Sequence, residues 1–528
     1  MTPVGAFELV LLLLTVAVML ALVARRLHTP PAVAFVLGGM LLALTPGIRT
    51  LDLDPDLYMA LFLPPLVQAS AFFTVWRAFR ANLRPILLLA VGLVFFTAFA
   101  IGWAARILLP DMPWAAAFTL GAIISPTDTA VTTAVLARLR IPERIVTILE
   151  GESLVNDASG LVLYRVAVVA AMTGQFNLLH AASSFVLLFA GGIVVGAACG
   201  YGSIWVFRHL HDTNLEIAAS FLIAWASYLA AEAIGVSGVL ATTTCGLLMG
   251  WYQHATFSPE TRMQARAAWS VAVFALEALL FILVGLSLRE MLARFDGHAV
   301  TNLLPLALLI SVGVIVARLA WIFPATYLPR LLVPVIRRRE PRPPLAAPLV
   351  IGWAGMRGAV SLAAALALPA DFPDRDPILL ITFTVILVTL LIQGGTLSVV
   401  IGALKLNLPM DDEAPAYGQL RAAIAAVALH VIEERASDPL EGAIASDMLR
   451  EYRDRAGWLV RVNENDAVIR AERTARLSLR REALAASRTE LLRLHRSREI
   501  EDDALQVLEQ ELDLEELRLR PQTGRLDA

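Results

Sequence analysis

The sequence predicts an all-α polytopic membrane protein: thirteen transmembrane helices in two inverted six-helix repeats with crossed broken helices, followed by a helical cytoplasmic tail. Three observations predict it. The 528 residues are 58% hydrophobic and 17% charged, with mean hydropathy +0.68, whereas soluble globular chains carry about 25% charged residues. The apolar residues gather in runs of about 20, the length a helix needs to cross a bilayer. The arginines gather in alternate loops between those runs, the pattern of the positive-inside rule.

Composition removes several classes. The 28 prolines and 32 glycines follow no collagen-like period, and the chain is too apolar to be disordered. The two cysteines, Cys199 and Cys245, lie inside apolar runs, so they provide neither a disulfide framework nor a Cys-based metal site and read as packing residues. Net charge is −3, divided into +4 over residues 1–410 and −7 over 411–528. Basic residues scattered through loops and an acidic tail leave no case for nucleic-acid binding. The first run, Val4 to Ala24, lacks a basic leader and a small-residue cleavage site, and is read as a retained span.

The thirteen spans are placed at approximately 4–24, 30–46, 55–75, 85–109, 113–137, 144–172, 181–207, 215–234, 236–252, 267–289, 301–323, 345–368 and 378–403. Arginines collect on one side of them: Arg25 and Arg26, the segment Arg77 to Arg84, Arg138, Arg140 and Arg144, Arg208, Arg262 and Arg266, and Arg330 to Arg342. The opposite loops hold Asp52, Asp54 and Asp56, then Asp111, the neutral stretch near Gln175, and Asp371, Asp374 and Asp376, with a mixed loop from Arg289 to Asp296. This places the N-terminus outside and the tail in the cytoplasm of a plasma (inner) membrane protein.

An odd count allows a six-span unit, a linker span and a second six-span unit that starts from the other side, the inverted-repeat layout of secondary transporters. The fifth span of each unit is interrupted, by Ser125-Pro126-Thr127-Asp128 and by Gly352-Trp353-Ala354-Gly355-Met356-Arg357-Gly358. Corresponding breaks point to a binding site, although membrane helices also carry ordinary Pro and Gly kinks. The charges inside both breaks favour a site.

An ionisable side chain at mid-bilayer costs about 2.5–3.5 kcal/mol on insertion scales. Span six nonetheless contains Glu150, Glu152 and Asp157. Asp157 lies thirteen residues past Arg144, or roughly 20 Å at a rise of about 1.5 Å per residue. Glu150, Ser153 and Asp157 share one helix face, and Glu152 and Asn156 share the neighbouring one. Ser153 and Asp157 are therefore expected to line a cytoplasmic funnel with Glu150 at its mouth. Glu152 is expected to be buried against a cation from another span, with Arg357 as candidate, a pair that fixes helix positions more than it stabilises.

Asp128 in span five reaches a similar depth, so two acids can face one cavity. Thr127, Ser153 and Asn156 add neutral oxygens, and unwound backbone near Pro126 adds carbonyls. Together these make an oxygen-rich site suited to a hard alkali cation. All eight histidines fall in loops, at span edges or in the tail, which argues against imidazole ligation in the membrane. Gly235-Val236-Ser237-Gly238 resembles an intramembrane serine protease string, but no buried His or nearby Lys can act as base, and a tight turn between spans eight and nine is the better reading. Glu216, Glu232 and Glu277 remain as partners for Arg318, edge residues or members of the ion path.

These motifs resemble those of the cation:proton antiporters of the NhaP and animal sodium/proton exchanger branch, especially bacterial members with a long cytoplasmic tail. Gly151-Glu152-Ser153-Leu154-Val155-Asn156-Asp157 is similar to that branch's Asn-Asp signature, Ser125-Pro126-Thr127-Asp128 to its first broken helix, and Gly355-Met356-Arg357-Gly358 to its second. Ala231-Glu232 with Gly235-Val236-Ser237-Gly238 also fits, and the likeness covers about residues 5–405. It implies a homodimer with an interface sub-domain and a six-helix core that moves like an elevator. It also implies that Asp157 binds cation and protons in turn, assisted by Thr127, Asp128 and Ser153, that Asn156 supports the site, and that Glu152 and Arg357 form the buried ion pair. Many relatives carry an acid just after the Pro-Pro of span three, whereas here Pro64-Pro65 is followed by Leu66, Val67, Gln68, Ala69 and Ser70.

The expected activity is exchange of a monovalent alkali cation, Na⁺ first with Li⁺ or K⁺ as alternatives, for H⁺ in pH and cation homeostasis. Desolvation makes a carboxylate hold protons more tightly, so proton and cation can exclude one another at Asp157. With Asn at position 156, one charge is neutralised per crossing, which favours electroneutral 1:1 exchange. The partners are lipid, cations and protons, and no cofactor is expected. No P-loop marks an ATP-driven pump, and the chain is not read as an enzyme. A gated cation channel or membrane sensor remains the alternative, and paired acids argue against an anion or organic-solute symporter. Residues 411–528, amphipathic from about Leu477 to Leu519, read as cytoplasmic helices that aid dimerisation or regulate.

Overall fold

The computed structural model describes residues 3–27, 29–46, 55–128, 130–136, 139, 141–174, 177–294, 297–340, 342–406, 414–435, 444–450, 452–453, 467–497 and 502–519. Arg138, Arg140, Asp52, Asp54, Gln175 and Asp296, used above in assigning loop polarity, lie outside the described residues. The chain divides into two compact units, Met1–Asn407 and Leu408–Ala528. The described residues contain helices and no strand, as lipid demands: within one helix every backbone group finds a partner without water.

Helix occupies each of the thirteen predicted segments. Among the described residues eight helices are long and apolar enough to cross a membrane: Phe7–Leu27, Leu83–Leu108, Glu143–Thr173, Ala181–His209, Thr213–Ala233, Pro259–Arg289, Thr301–Leu332 and Arg375–Ala403. Pro31–Leu44, Leu57–Phe73 and Trp114–Ile124 are apolar but shorter. Gly238–Thr256 follows a turn in which Gly235 takes φ +75° and the Ser237 hydroxyl accepts the Leu240 N–H at 3.3 Å. The Gly-x-Ser-Gly string is thus a turn and helix cap.

The two interrupted segments position the site. Trp114–Ile124 stops before Ser125, and helix resumes over Ala130–Leu136; Ala346–Trp353 stops before Ala354, and helix resumes over Ala359–Leu366. Proline alone does not explain the first break, because Pro64, Pro65, Pro305 and Pro324 all sit inside continuous helices. At Pro126 the freed groups have partners elsewhere. The Asp128 N–H donates to the Met356 carbonyl at 2.8 Å, and the Thr132 hydroxyl donates to the Ala354 carbonyl at 3.3 Å. Each break therefore caps the other.

Gly358 permits that approach. A Cβ there would stand 1.8 Å from Asp128 Oδ2, inside any possible contact. Two π-helical stretches, Leu88–Leu93 and Thr389–Gly394, interrupt neighbouring helices. A π turn releases a carbonyl from the α ladder, and two in the first stretch have outside donors: Leu88 accepts from Trp321 Nε1 at 3.0 Å, and Ala90 accepts from the Ser159 hydroxyl.

In the second unit, helices span Ala414–Arg435, Ala467–Arg496 and Asp502–Leu519. Arg488 joins the last two through Asp513 and, at 3.3 Å, Glu516.

Candidate functional site

The helix Glu143–Thr173 brings its polar residues to two faces. Asp157 is 9% exposed, with Ser153 and Glu150 beside it on the face that borders a cavity of about 390 Å³. Thr127 and Asp128 from the first break line the same cavity, so five of the predicted site residues meet there. Glu152 and Asn156 are buried on the adjoining face and do not line it.

Thr127 joins the faces. Its hydroxyl donates to Glu152 Oε1 at 2.9 Å and accepts from Asn156 Nδ2 at 2.6 Å. Its carbonyl accepts from Asn156 Nδ2 at 3.2 Å and from the Ser153 hydroxyl at 3.4 Å. Asn156 Oδ1 finds no hydrogen-bond partner among the described residues. Asn156 thus spends its donors holding the break in place, and the carboxylate next to it in sequence is left to the cavity.

The expected Glu152–Arg357 pair is corrected by the structure. Glu152 pairs with Arg318, Nη1 to Oε1 at 2.5 Å and Nη2 to Oε2 at 2.8 Å, with both side chains 1% exposed. Arg318 also donates to the Ile351 carbonyl, from Nε at 3.2 Å and Nη2 at 3.0 Å. The cause is Gly355: a Cβ there would lie 2.1 Å from Arg318 Cδ, so only glycine lets that side chain pass to Glu152. Arg357 turns back on its own break, donating Nη1 to the Gly355 carbonyl at 2.9 Å, while its backbone N–H reaches Thr389 Oγ1 at 3.0 Å. Its Nε and Nη2 have no hydrogen-bond partner among the described residues.

The three undecided acids separate. Glu232 takes Arg165 through both oxygens, at 2.9 and 2.7 Å, and accepts the Gly238 N–H at 3.2 Å. Glu216 is buried away from the cavity. Glu277, from the helix Pro259–Arg294, lines the cavity with Asp128, Glu150 and Asp157. None of the three is the hydrogen-bonded partner of Arg318. The only sequence signal for Glu277 was its position as a lone acid in an apolar run.

Sequence reasoning missed Ser361, whose buried hydroxyl lacks a partner among the described residues and which lines the cavity from the far side of the second break. Arg266 contributes a positive charge to the lining, its guanidinium 5.2 Å from the Phe73 ring centre. In the helix after Pro64-Pro65, Gln68 is buried and donates to Met249 Sδ at 3.1 Å, while Ser70 reaches the cavity.

Among the described residues no group of three or more His, Cys, Asp or Glu side chains could hold a metal ion. The cavity instead mixes carboxylates with hydroxyls, donors that suit a weakly held hard cation passing through.

Comparison with known proteins identifies the family and the fold. Residues 11–402 match the family described as "Sodium/hydrogen exchanger, transmembrane". An uncharacterised Na⁺/H⁺ exchanger of Mycobacterium tuberculosis is 32% identical over 97% of this chain and 96% of its own. A sodium, potassium, lithium and rubidium/H⁺ antiporter of Bacillus subtilis is 34% identical over 74% of this chain and 61% of its own. The solved structure of the sodium proton antiporter MjNhaP1 from Methanocaldococcus jannaschii superposes with a TM-score of 0.61 at 19% identity, covering 77% of this chain and 99% of that one. The chain belongs to the transmembrane sodium/hydrogen exchanger family.

Proposed function

We propose that the protein is a secondary active antiporter that exchanges a monovalent alkali cation for H⁺, one for one and without net charge movement. Na⁺ is the first candidate, with Li⁺ and K⁺ next; the B. subtilis relative is named for all three. The observation that carries the reading is the division of labour at the crossing: Asp157, Asp128, Ser153 and Thr127 face one cavity, while Glu152, Asn156 and Arg318 form a buried framework behind it.

A carboxylate in a poorly hydrated cavity holds either a proton or a cation, because leaving it charged and unpaired is costly. Asp157 is the exchanging group, and Asp128, Thr127 and Ser153 supply further oxygens. Glu150 stands at the funnel mouth. Asn156 adds no charge, so one charge is neutralised per crossing and exchange is electroneutral. Alternating access follows an elevator motion in which the core carries the broken helices and the Glu143–Thr173 helix past an interface sub-domain. The functional unit is a homodimer in the plasma membrane, thirteen spans per chain, N-terminus outside and tail in the cytoplasm. It serves pH and cation homeostasis.

Proteoliposomes loaded with a pH-sensitive dye test this. Addition of Na⁺, Li⁺ or K⁺ is expected to move protons without a voltage-dependent current, and the order of the three cations ranks the cargo. A steady current without coupled proton movement would assign a channel instead.

Glu277 supplies the cavity acid that the segment after Pro64-Pro65 lacks. Glu277→Gln is expected to raise the half-saturating Na⁺ concentration about three- to tenfold, the scale of one nearby charge in a partly wet site, while exchange stays measurable. An unchanged concentration dependence would remove Glu277 from the ion path.

A further inference from the structure

A second charged cluster lies at the arginine-rich end of the membrane unit, away from the cation cavity. Arg84 is the second residue of the helix Leu83–Leu108, Arg144 the second of Glu143–Thr173, and Arg330 falls in the last turn of Gly297–Leu332. All three direct Nη2 at one oxygen, Glu340 Oε2, at 2.9, 3.0 and 2.8 Å. One carboxylate cannot balance three guanidiniums. Arg330 is 4% exposed, and its Nε, with Nε and Nη1 of Arg84, is buried without a hydrogen-bond partner among the described residues.

These arginines line a cavity of about 70 Å³ whose floor is apolar, formed by Leu88, Ile148, Ile322 and Ile351. Pro85, Ile145 and Ala347 also border it, so three helices begin at its edge. Helix beginnings carry partial positive charge and favour anions. The guanidinium fork matches phosphate oxygens in pairs, and a phosphate group offers more oxygens than the single carboxylate oxygen that now receives all three arginines.

We propose that Arg84, Arg144 and Arg330 form a binding site for a phosphate group, with Glu340 as an internal stand-in that an incoming phosphate displaces. The chain beside it exposes Leu331, Leu332 and Val335 at 61%, 70% and 59%, an apolar flank suited to lipid tails. A phospholipid headgroup and a free phosphate present the same chemistry to the three arginines.

The test is thermal unfolding of the full chain in detergent, for wild type, Glu340→Gln and Arg144→Gln. One arm adds inorganic phosphate against chloride at matched ionic strength, and the other adds phosphatidic acid against phosphatidylcholine. The expected result is a rise in Tm over the matched control. Removing the internal competitor in Glu340→Gln should lower the half-saturating concentration about tenfold, on the scale of a charge-assisted hydrogen bond, and Arg144→Gln should raise it. Arg144 is the most exposed of the three, so its variant carries the test if Glu340→Gln fails to fold. A response to phosphatidic acid alone assigns a lipid headgroup; a response to inorganic phosphate assigns a soluble phosphate. No rise over either control, or equal responses in all folded proteins, overturns the proposal.

Discussion

Asp157→Asn is expected to abolish cation-driven proton movement, by at least about a hundredfold, while leaving the protein folded. Asparagine preserves the volume and an oxygen but neither titrates nor carries charge, so the competition between proton and cation disappears along with the electrostatic part of cation binding. Folding should not suffer. Among the described residues Asp157 has no ion pair, and a poorly hydrated carboxylate is a burden on the folded state that the amide relieves. Tm without added cation should therefore equal or exceed that of wild type. Stabilisation by cation should vanish: a ligand at 100 times its Kd raises stability by about 2.7 kcal/mol, and the variant should show none of this. Exchange surviving at more than about a tenth of the wild-type rate would move the coupling site elsewhere.

Arg318→Met is expected to destabilise the membrane unit by about 3–5 kcal/mol, because it strands the Glu152 charge in a buried position. Among the described residues Thr127 would remain as the only hydrogen-bond donor to that carboxylate, and the Ile351 carbonyl would lose its guanidinium. Arg318→Lys should recover part of this, since one ammonium cannot reproduce a fork that serves two carboxylate oxygens and a carbonyl. Arg357→Met should cost less, because among the described residues its guanidinium donates a hydrogen bond to the Gly355 carbonyl and to no carboxylate. Thermal unfolding of the three variants in detergent gives the order. Adding Glu152→Gln to Arg318→Met should restore stability relative to Arg318→Met alone, the signature of a coupled pair. A larger loss from Arg357→Met than from Arg318→Met would return the ion pair to the residue that sequence reasoning favoured.

That mistaken partner shows what one dimension conceals. The helices were legible because lipid forces long apolar runs, and the breaks because Pro126, Gly355 and Gly358 stand beside charges that no continuous apolar helix would hold. The two faces of Glu143–Thr173 followed from helical spacing alone, which separates Asp157 from Glu152 by about 140° around the helix axis. Which arginine meets Glu152 depends instead on how three segments of the chain meet in space. Arg318 was matched in sequence with Glu216, Glu232 or Glu277, and only the missing side chain of Gly355 opens its route to Glu152. Glu277 was left undecided and Ser361 was missed for the same reason: each enters the cavity from an element far along the chain.

The crossing also constrains how this protein can change. Asp128 depends on the Met356 carbonyl for its amide and on the absence of a side chain at Gly358 for its room. A substitution on either strand of the crossing is thus judged by the other, and single steps that look conservative in one segment meet a fixed surface in its counterpart. Exchange of material between relatives should succeed when residues 125–128 and 354–358 travel together and fail when they are split. The two segments are heritable as one unit although more than two hundred residues separate them in the chain.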